Sequence, residues 1–494
     1  MSQHSFCLVD EKWIPVVGHG QVSLMDIFAD DTLVDIAGNP IQKIAVMKLL
    51  VAIAQASVRV ENEKAWSSLG TDGLSAAVQG YLSEHRQLFD LYGDRPFLQM
   101  PQLSARDDAA VKEIFFTYQP DLASDNDSIV FESQGAQTLD DADMALFLIQ
   151  LMNYAPGGKR VSNIGALSDS FSGKTKSAKA GPSLGGFEGY LQVCMMGRSI
   201  REGVYLNYLC EDEVIRMMPD ARIDARPPWE MMPECEDDEN AKMLQHSVYS
   251  WLVGLSRFVL LCGQGMKYAE GLVYPSYIKD GYFEPFIACD KTSQKAIYVR
   301  PSRQPWRSLE ALLQGVYVES GGYDCAILSS HWNRTKASFE SFSIWAGGLK
   351  VRSNSGDQSV KQSDNYVESQ IELFSDSLDT DFYYRLKANL DDVEALANSL
   401  CYAVSKYGED MGMTGEAKNS AGASFWTVAD GLSDEIISCA EERNEEWRSR
   451  LMSKLAFEAS AIYDRVCRHE TSREMICWMN HRRIGAKWRK KNAE

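Results

Sequence analysis

The sequence predicts an α+β fold, with a large, irregular mixed α/β N-terminal domain over residues 1–370 and a C-terminal four-helix bundle over residues 371–494. Three observations predict it. The chain has 494 residues, too many for one ordinary core and enough for about three domain equivalents. Up to residue 370, short apolar runs of strand type alternate with helical stripes and long polar loops. Beyond it, four successive segments carry apolar residues on one helical face. An apolar content of 45% and a charged content of 24% are those of a folded globular chain.

The elements follow in order. Residues 6–9 and 13–17 are apolar and β-prone, with a polar turn between them. Ser23 offers a cap for a helix over 24–28, and Pro40 opens a strong helix carrying Ile41, Ile44, Ala45, Leu49, Ala52 and Ile53. Residues 74–91 and 140–154 read as further helices. Residues 155–189 are irregular and rich in Gly, Ser and Lys, and loops this long usually carry function. Residues 191–196 and 204–209 look like buried strands, and 360–374 like a helix. The four C-terminal helices are expected over 381–407, 425–439, 445–469 and 472–490.

Composition excludes several classes. A net charge of −19 rules out a binder that is basic over its whole surface, but not a local basic site. The longest apolar stretches, 43–58 and 249–262, are interrupted by Lys48 and by Ser256 and Arg257, so no membrane span is expected. The N-terminus has neither the basic nor the apolar region of a signal peptide, which points to the cytoplasm. Eleven scattered cysteines contain no CxxC pair and read as reduced. There is no HExxH, GxSxG or GxGxxG. The segment SDSFSGKT over 168–175 has serine where a phosphate loop needs its first glycine. No metal, cofactor or catalytic residue is therefore assigned.

Charge is inverted in two places. Between Gly157 and Arg201 seven cations (Lys159, Arg160, Lys174, Lys176, Lys179, Arg198 and Arg201) face only Asp169 and Glu188, a local excess of +5. Glycines beside cations suit a loop that approaches phosphates through backbone N–H groups and side chains. The same stretch is also compatible with a solvated basic loop. The tail carries Arg482, Arg483, Lys487, Arg489, Lys490 and Lys491 against Glu494, an arrangement that also complements a helix C-terminus. A third segment, WAGGLKVRSNSGDQ over 345–358, joins glycines, Lys350, Arg352 and a polar Gln358, and in isolation reads equally well as a β-turn.

Taken together, the blocks resemble a known family. FCLVDEKWIPV at 6–16, RPFLQ at 95–99, YAPGG at 154–158, RSIREGVYLNYL at 198–209, GGLKVRSNSGDQSVKQSDNYVE at 347–368 and SFWTVADGL at 424–432 are similar, in order, to segments of the CasA-type large subunit of the type I-E CRISPR surveillance complex, Cascade. The resemblance implies a non-enzymatic subunit bound to crRNA, the crRNA-bound backbone subunits and the small subunits. It implies recognition of the short motif flanking the target (the PAM) in double-stranded DNA and help in opening the duplex for R-loop formation. It also implies recruitment of a helicase-nuclease in trans, with base pairing reading the remaining sequence.

Residue by residue, Gln358, flanked by Asp357 and Ser359, matches the family's glutamine wedge. Gly157, Gly158, Lys159 and Arg160 fall at its glycine loop, and Lys279 lies near its minor-groove lysine, slightly out of register. Lys350 and Arg352 are placed on phosphates. Phe131 matches an aromatic that meets the crRNA end. The CxxC pairs that hold zinc in some members are missing here, with DDAD over 140–143 in place of the first. The reading from another class is a nucleic-acid-processing hydrolase or nuclease of unrecognised type.

Overall fold

The computed structural model describes residues 4–106, 110–115, 139–155, 165–168, 184–185, 188–274, 284–290, 292–293, 295–318, 321–354, 357–359, 366–413, 415–485 and 488. Their contacts gather into two compact units, Met1–Pro301 with Gln314–Glu372, and Ser302–Leu313 with Leu373–Glu494. The mixed α+β class holds, with small sheets in the first unit and helices in the second.

The first unit opens with strands β1 (Ile14–Val16) and β2 (Gly20–Val22), paired antiparallel. Residues 6–9 do not form a strand. Cys7 makes one bridge to Asp90, and a turn follows. Helix α1 (Leu24–Ala29) starts in a capping box: Asp26 N donates to Ser23 Oγ and Ser23 N to the Asp26 carboxylate. Asn39 and Gln42 repeat the device at α2 (Pro40–Ser57), where proline occupies the first turn. Helix α2 is apolar on every side and runs through the core, with Ile44, Leu49, Leu50, Val51 and Ile53 fully buried. Helix α3 (Glu63–Glu84) begins earlier than expected because Asn62 caps it. Gly70, at φ 66° and ψ 172°, breaks it midway in a conformation only glycine adopts readily. The 3₁₀ turn Arg86–Phe89 then takes up the end of the segment read as one helix over 74–91.

Strand β3 (Val111–Phe115) and helix α4 (Asp141–Tyr154) follow. Next come β4 (Gln192–Met196), α5 (Ile200–Leu206), α6 (Glu211–Met217), α7 (Glu239–Gln245), α8 (Tyr249–Leu252), β5 (Arg257–Cys262) and β6 (Gly265–Glu270). The chain continues with β7 (Ala288–Asp290), β8 (Lys295–Ala296), α9 (Leu309–Tyr317), β9 (Tyr323–Cys325), α10 (Ala326–Ser338), β10 (Ser341–Leu349), β11 (Arg352–Asn354), β12 (Asp357–Ser359) and β13 (Tyr366–Phe374). Among the described residues these strands form three three-stranded sheets, in orders β3-β6-β5, β8-β7-β9 and β13-β10-β4.

Two expectations are corrected here. Residues 204–209, read as a strand, begin inside helix α5. Ser199 caps that helix, and Asn207 ends it by binding both backbone groups of Met195. Residues 366–374, read as part of a helix, form β13. Val367, Ile371 and Leu373 are buried while Glu368, Gln370 and Glu372 are exposed, the period-two pattern of a half-buried strand.

The core of this unit contains charge. Arg334 Nη1 lies 3.1 and 3.2 Å from the Glu213 carboxylate oxygens, its Nη2 donates to Tyr208 O, and its guanidinium lies 4.5 Å from the Trp66 ring. His331 Nδ1 donates to Leu206 O, and its Nε2 is 3.3 Å from Glu213. Burial opposes ionisation of Glu213, but His331 and Arg334 outweigh it and hold the carboxyl at about 2. Burial, then the Arg334 charge, lower the His331 imidazole below its usual 6.5, against the pull of Glu213. In both cases the unfolded chain binds more protons in the interval between the two values. Stability is therefore expected to fall as pH drops below 6.5, and again between 4.5 and about 2. Denaturant midpoints measured down this pH series check the sign. Midpoints that stay level as His331 titrates would contradict it.

The second unit holds α11 (Phe382–Met411), α12 (Glu416–Asp430), α13 (Ser433–Glu441), α14 (Glu445–Val466) and α15 (Ser472–His481). The helix expected over 425–439 is two helices, because α12 ends at Gly431 and the chain restarts after Leu432. Buried Asn389 on α11 donates to Ile436 O and accepts from Arg448, fixing α13 and α14 against it. Ser302–Leu313 belongs to this unit: Trp306 Nε1 donates to Asp430, and Arg307 lies 4.0 Å from the Trp426 ring.

Candidate nucleic-acid interface

Strand β4 is where the basic, glycine-rich stretch re-enters the core, and β10 leads into the WAGGLKVRSNSGDQ segment. The two pair antiparallel, from Ser343 opposite Met196 to Gly347 opposite Gln192. The start of β4 thus lies beside the end of β10. The backbones meet closely: a Cβ on Gly189 would fall 1.7 Å from Leu349 O, and one on Gly348 would fall 2.7 Å from Tyr190 O. Glycine is needed at both positions for contact. Tyr190 stacks on Tyr298 at 5.4 Å and bridges to it through the backbone.

The sequence-derived residues fall into three groups. Lys350 is half-buried and paired with Glu188, so it reaches a phosphate only by exchanging that carboxylate for it. Arg352, Asp357, Gln358 and Ser359 lie on a two-stranded ribbon in which β11 and β12 pair antiparallel. Arg352 stands opposite Ser359, Ser353 opposite Gln358 and Asn354 opposite Asp357. Gly157, Gly158, Lys159, Arg160, Lys279 and Phe131 lie outside the described residues.

The charge count also changes. Arg198 pairs with Glu340, and Arg201 with Asp31 and Asp72. The other five cations of the stretch, Lys159, Arg160, Lys174, Lys176 and Lys179, lie outside the described residues. In the tail, Arg482 is held by Asp464 and lies 4.9 Å from the Trp478 ring, a structural pairing within its unit.

Beneath this edge sits a buried cation. Lys48, in the middle of α2, is 1% exposed and paired with Glu284. Its ammonium lies 5.1 Å from the Tyr154 ring and 5.0 Å from the Phe286 ring. Burial lowers its pKa although Glu284 raises it. Tyr154 OH lies 3.1 Å from Gln192 Oε1, Val193 N donates to Phe286 O at 2.8 Å, and Gln192 bridges to Ile287.

Among the described residues one trio has metal-ligand chemistry, Cys210, Asp212 and Glu213. Arg334 already supplies the cation there, with Nη1 3.2 Å from Cys210 Sγ, and burial pushes that thiol up to about 12. The trio is an ion-pair node rather than a site for a second cation. Asp140, in the DDAD segment, caps α4, and Asp141 accepts from Tyr92 OH. No described helix is long and apolar enough to cross a membrane.

The family model of CRISPR-associated protein Cse1 matches residues 8–460. The chain belongs to the Cse1 family. The CasA-type resemblance read from the sequence stands. Three solved structures share the fold. Cse1 from Acidimicrobium ferrooxidans matches at TM-score 0.72 and 16% identity, over 99% of both chains. CasA from Thermus thermophilus matches at 0.69 and 17%, over 99% of this chain and 100% of that one. A chain of a CRISPR RNA-guided surveillance complex matches at 0.69 and 17%, over 98% and 99%. No curated protein matches. Within the Cse1 fold, sequence reasoning missed Gly189, Gln192 and Glu284, and the pairing of Glu188 with Lys350. Lys48 alone left a signal, as the one charge in the middle of an apolar helix.

Proposed function

We propose that the chain is the non-catalytic large subunit of a crRNA-guided, type I-E Cascade complex. In this reading it recognises the PAM in double-stranded DNA, helps open the duplex for R-loop formation and recruits a helicase-nuclease. One observation carries the reading: the chain that follows the lysine-rich stretch, at Gly189–Gln192, and the chain that leads to the wedge, at Gly347–Leu349, meet at one end of the β4–β10 pair. Family membership and the likeness to a chain of a surveillance complex support the partner set of crRNA, backbone subunits and small subunits. Gly157, Gly158, Lys159 and Arg160 approach the groove, Lys279 joins them, and Lys350 and Arg352 take phosphates. The ribbon residues Asp357, Gln358 and Ser359 stand at the point of strand separation, and Phe131 meets the crRNA end.

Its net charge of −19 sets the test. The chain alone is expected to bind duplex weakly, because its overall field repels phosphate and only short segments are basic. Assembled with crRNA and the other subunits, it is expected to bind target tightly and only beside its motif. Equal nanomolar affinity of the isolated chain for random duplex at about 150 mM salt would overturn the reading.

A further inference from the structure

The buried charge of Lys48 lies where three stretches of chain return to the core. Tyr154 ends α4, just before the glycine-loop residues 155–160. Gln192 opens β4, just after the lysine-rich stretch. Glu284 follows the segment that carries Lys279. Lys48 touches the first through the Tyr154 ring and pairs with the third. The second is tied to both, by Tyr154 OH on Gln192 and by Val193 N on Phe286 O. The contacts form a closed ring: Lys48, Glu284, Phe286, Val193, Gln192, Tyr154 and back to Lys48.

A buried ion pair is a poor way to gain stability, since well-packed apolar residues of the same volume do as well or better. What it adds is direction. An ammonium held by one carboxylate and two ring faces fixes the separation of its neighbours, whereas methyl groups in contact slide at little cost. Helix α2 supplies a rigid mount, because Lys48 projects from a helix whose core residues are buried on every side.

We propose that Lys48 and Glu284 are positioning residues for motif readout, holding the roots of the three candidate DNA-contacting segments at fixed separation. The proposal rests on the reading above. Neither residue touches DNA, so they govern discrimination between motifs and leave the non-specific affinity, set by surface cations, unchanged.

The test uses the assembled complex with two labelled duplexes. One carries the target beside a motif selected from a randomised library, and the other has that motif scrambled. In the double variant Lys48→Met with Glu284→Leu, both charges leave together, so no lone charge remains buried. It should fold, assemble and bind scrambled duplex as the unaltered complex does, while the affinity ratio between the duplexes falls about tenfold. Tyr154→Phe, which keeps the ring under the ammonium and removes the link to Gln192, should lower the ratio less. A double variant that assembles and keeps the full ratio overturns the proposal. Should it fail to assemble, Tyr154→Phe decides: an unchanged ratio overturns the proposal, a reduced one supports it. If the unaltered complex binds both duplexes equally, the reading of the function itself falls, a result distinct from the others.

Discussion

The substitution Arg334→Met is expected to remove roughly 3–5 kcal/mol of folding stability. Methionine keeps the length and most of the volume, so little cavity is left. The change removes the guanidinium facing the Glu213 carboxylate at 3.1 Å, in a site where the Arg334 side chain is 1% exposed. Glu213 cannot simply turn to water. Its carboxylate also accepts from Cys210 N at 2.8 Å and closes the first turn of α6. The variant must protonate Glu213, charge His331, whose Nε2 lies 3.3 Å from that carboxylate, or open that turn. A second substitution, Glu213→Gln, should recover most of the loss, because the amide still accepts at the helix start and carries no charge to strand. Equilibrium unfolding in urea, followed by tryptophan fluorescence, measures both. A loss of under about 1 kcal/mol in the single variant would show that the buried carboxylate finds another partner.

Gln358→Ala is expected to slow R-loop formation about tenfold or more on fully paired targets, while leaving folding and assembly intact. Gln358 sits at the centre of a three-residue strand, opposite Ser353 on the ribbon that follows β10. Truncating one residue of such a ribbon leaves the backbone pairing in place. A side chain inserted between base steps helps meet the unstacking cost of a few kcal/mol. Its loss should matter least when mismatches beside the motif have already opened the duplex. Lys159→Ala with Arg160→Ala should instead weaken binding to paired and bubbled targets alike, and reduce the salt slope by about one counterion each. If Gln358→Ala slows both substrates equally, or neither, the wedge assignment falls and the ribbon is only a turn.

The sequence by itself determined the mixed α+β class, the helix cap at Ser23, the helix start at Pro40, and the membership of the family. These rest on local signals: apolar periodicity, side chains that bond the next backbone turn, and blocks kept in order. It misled where a local signal was ambiguous. The nine residues Tyr366–Phe374 satisfy both helical and alternating spacing loosely, and pairing with β10 settled the matter.

Tertiary structure alone decided the rest. The joining of Ser302–Leu313 to the C-terminal helices depends on Trp306 and Arg307 meeting Asp430 and Trp426, residues far away in sequence. The pairing of Lys350 with Glu188 gives a carboxylate partner to a cation that the sequence reading had placed on phosphates. Lys48 read only as an interruption in an apolar run, yet it is one of the most deeply buried charges among the described residues, because Glu284, far along the sequence, folds against it. A charge in an apolar helix announces that a partner must exist, since burying it alone is prohibitive. Which residue that partner is, and which chain segments the pair ties together, only the packed structure can say.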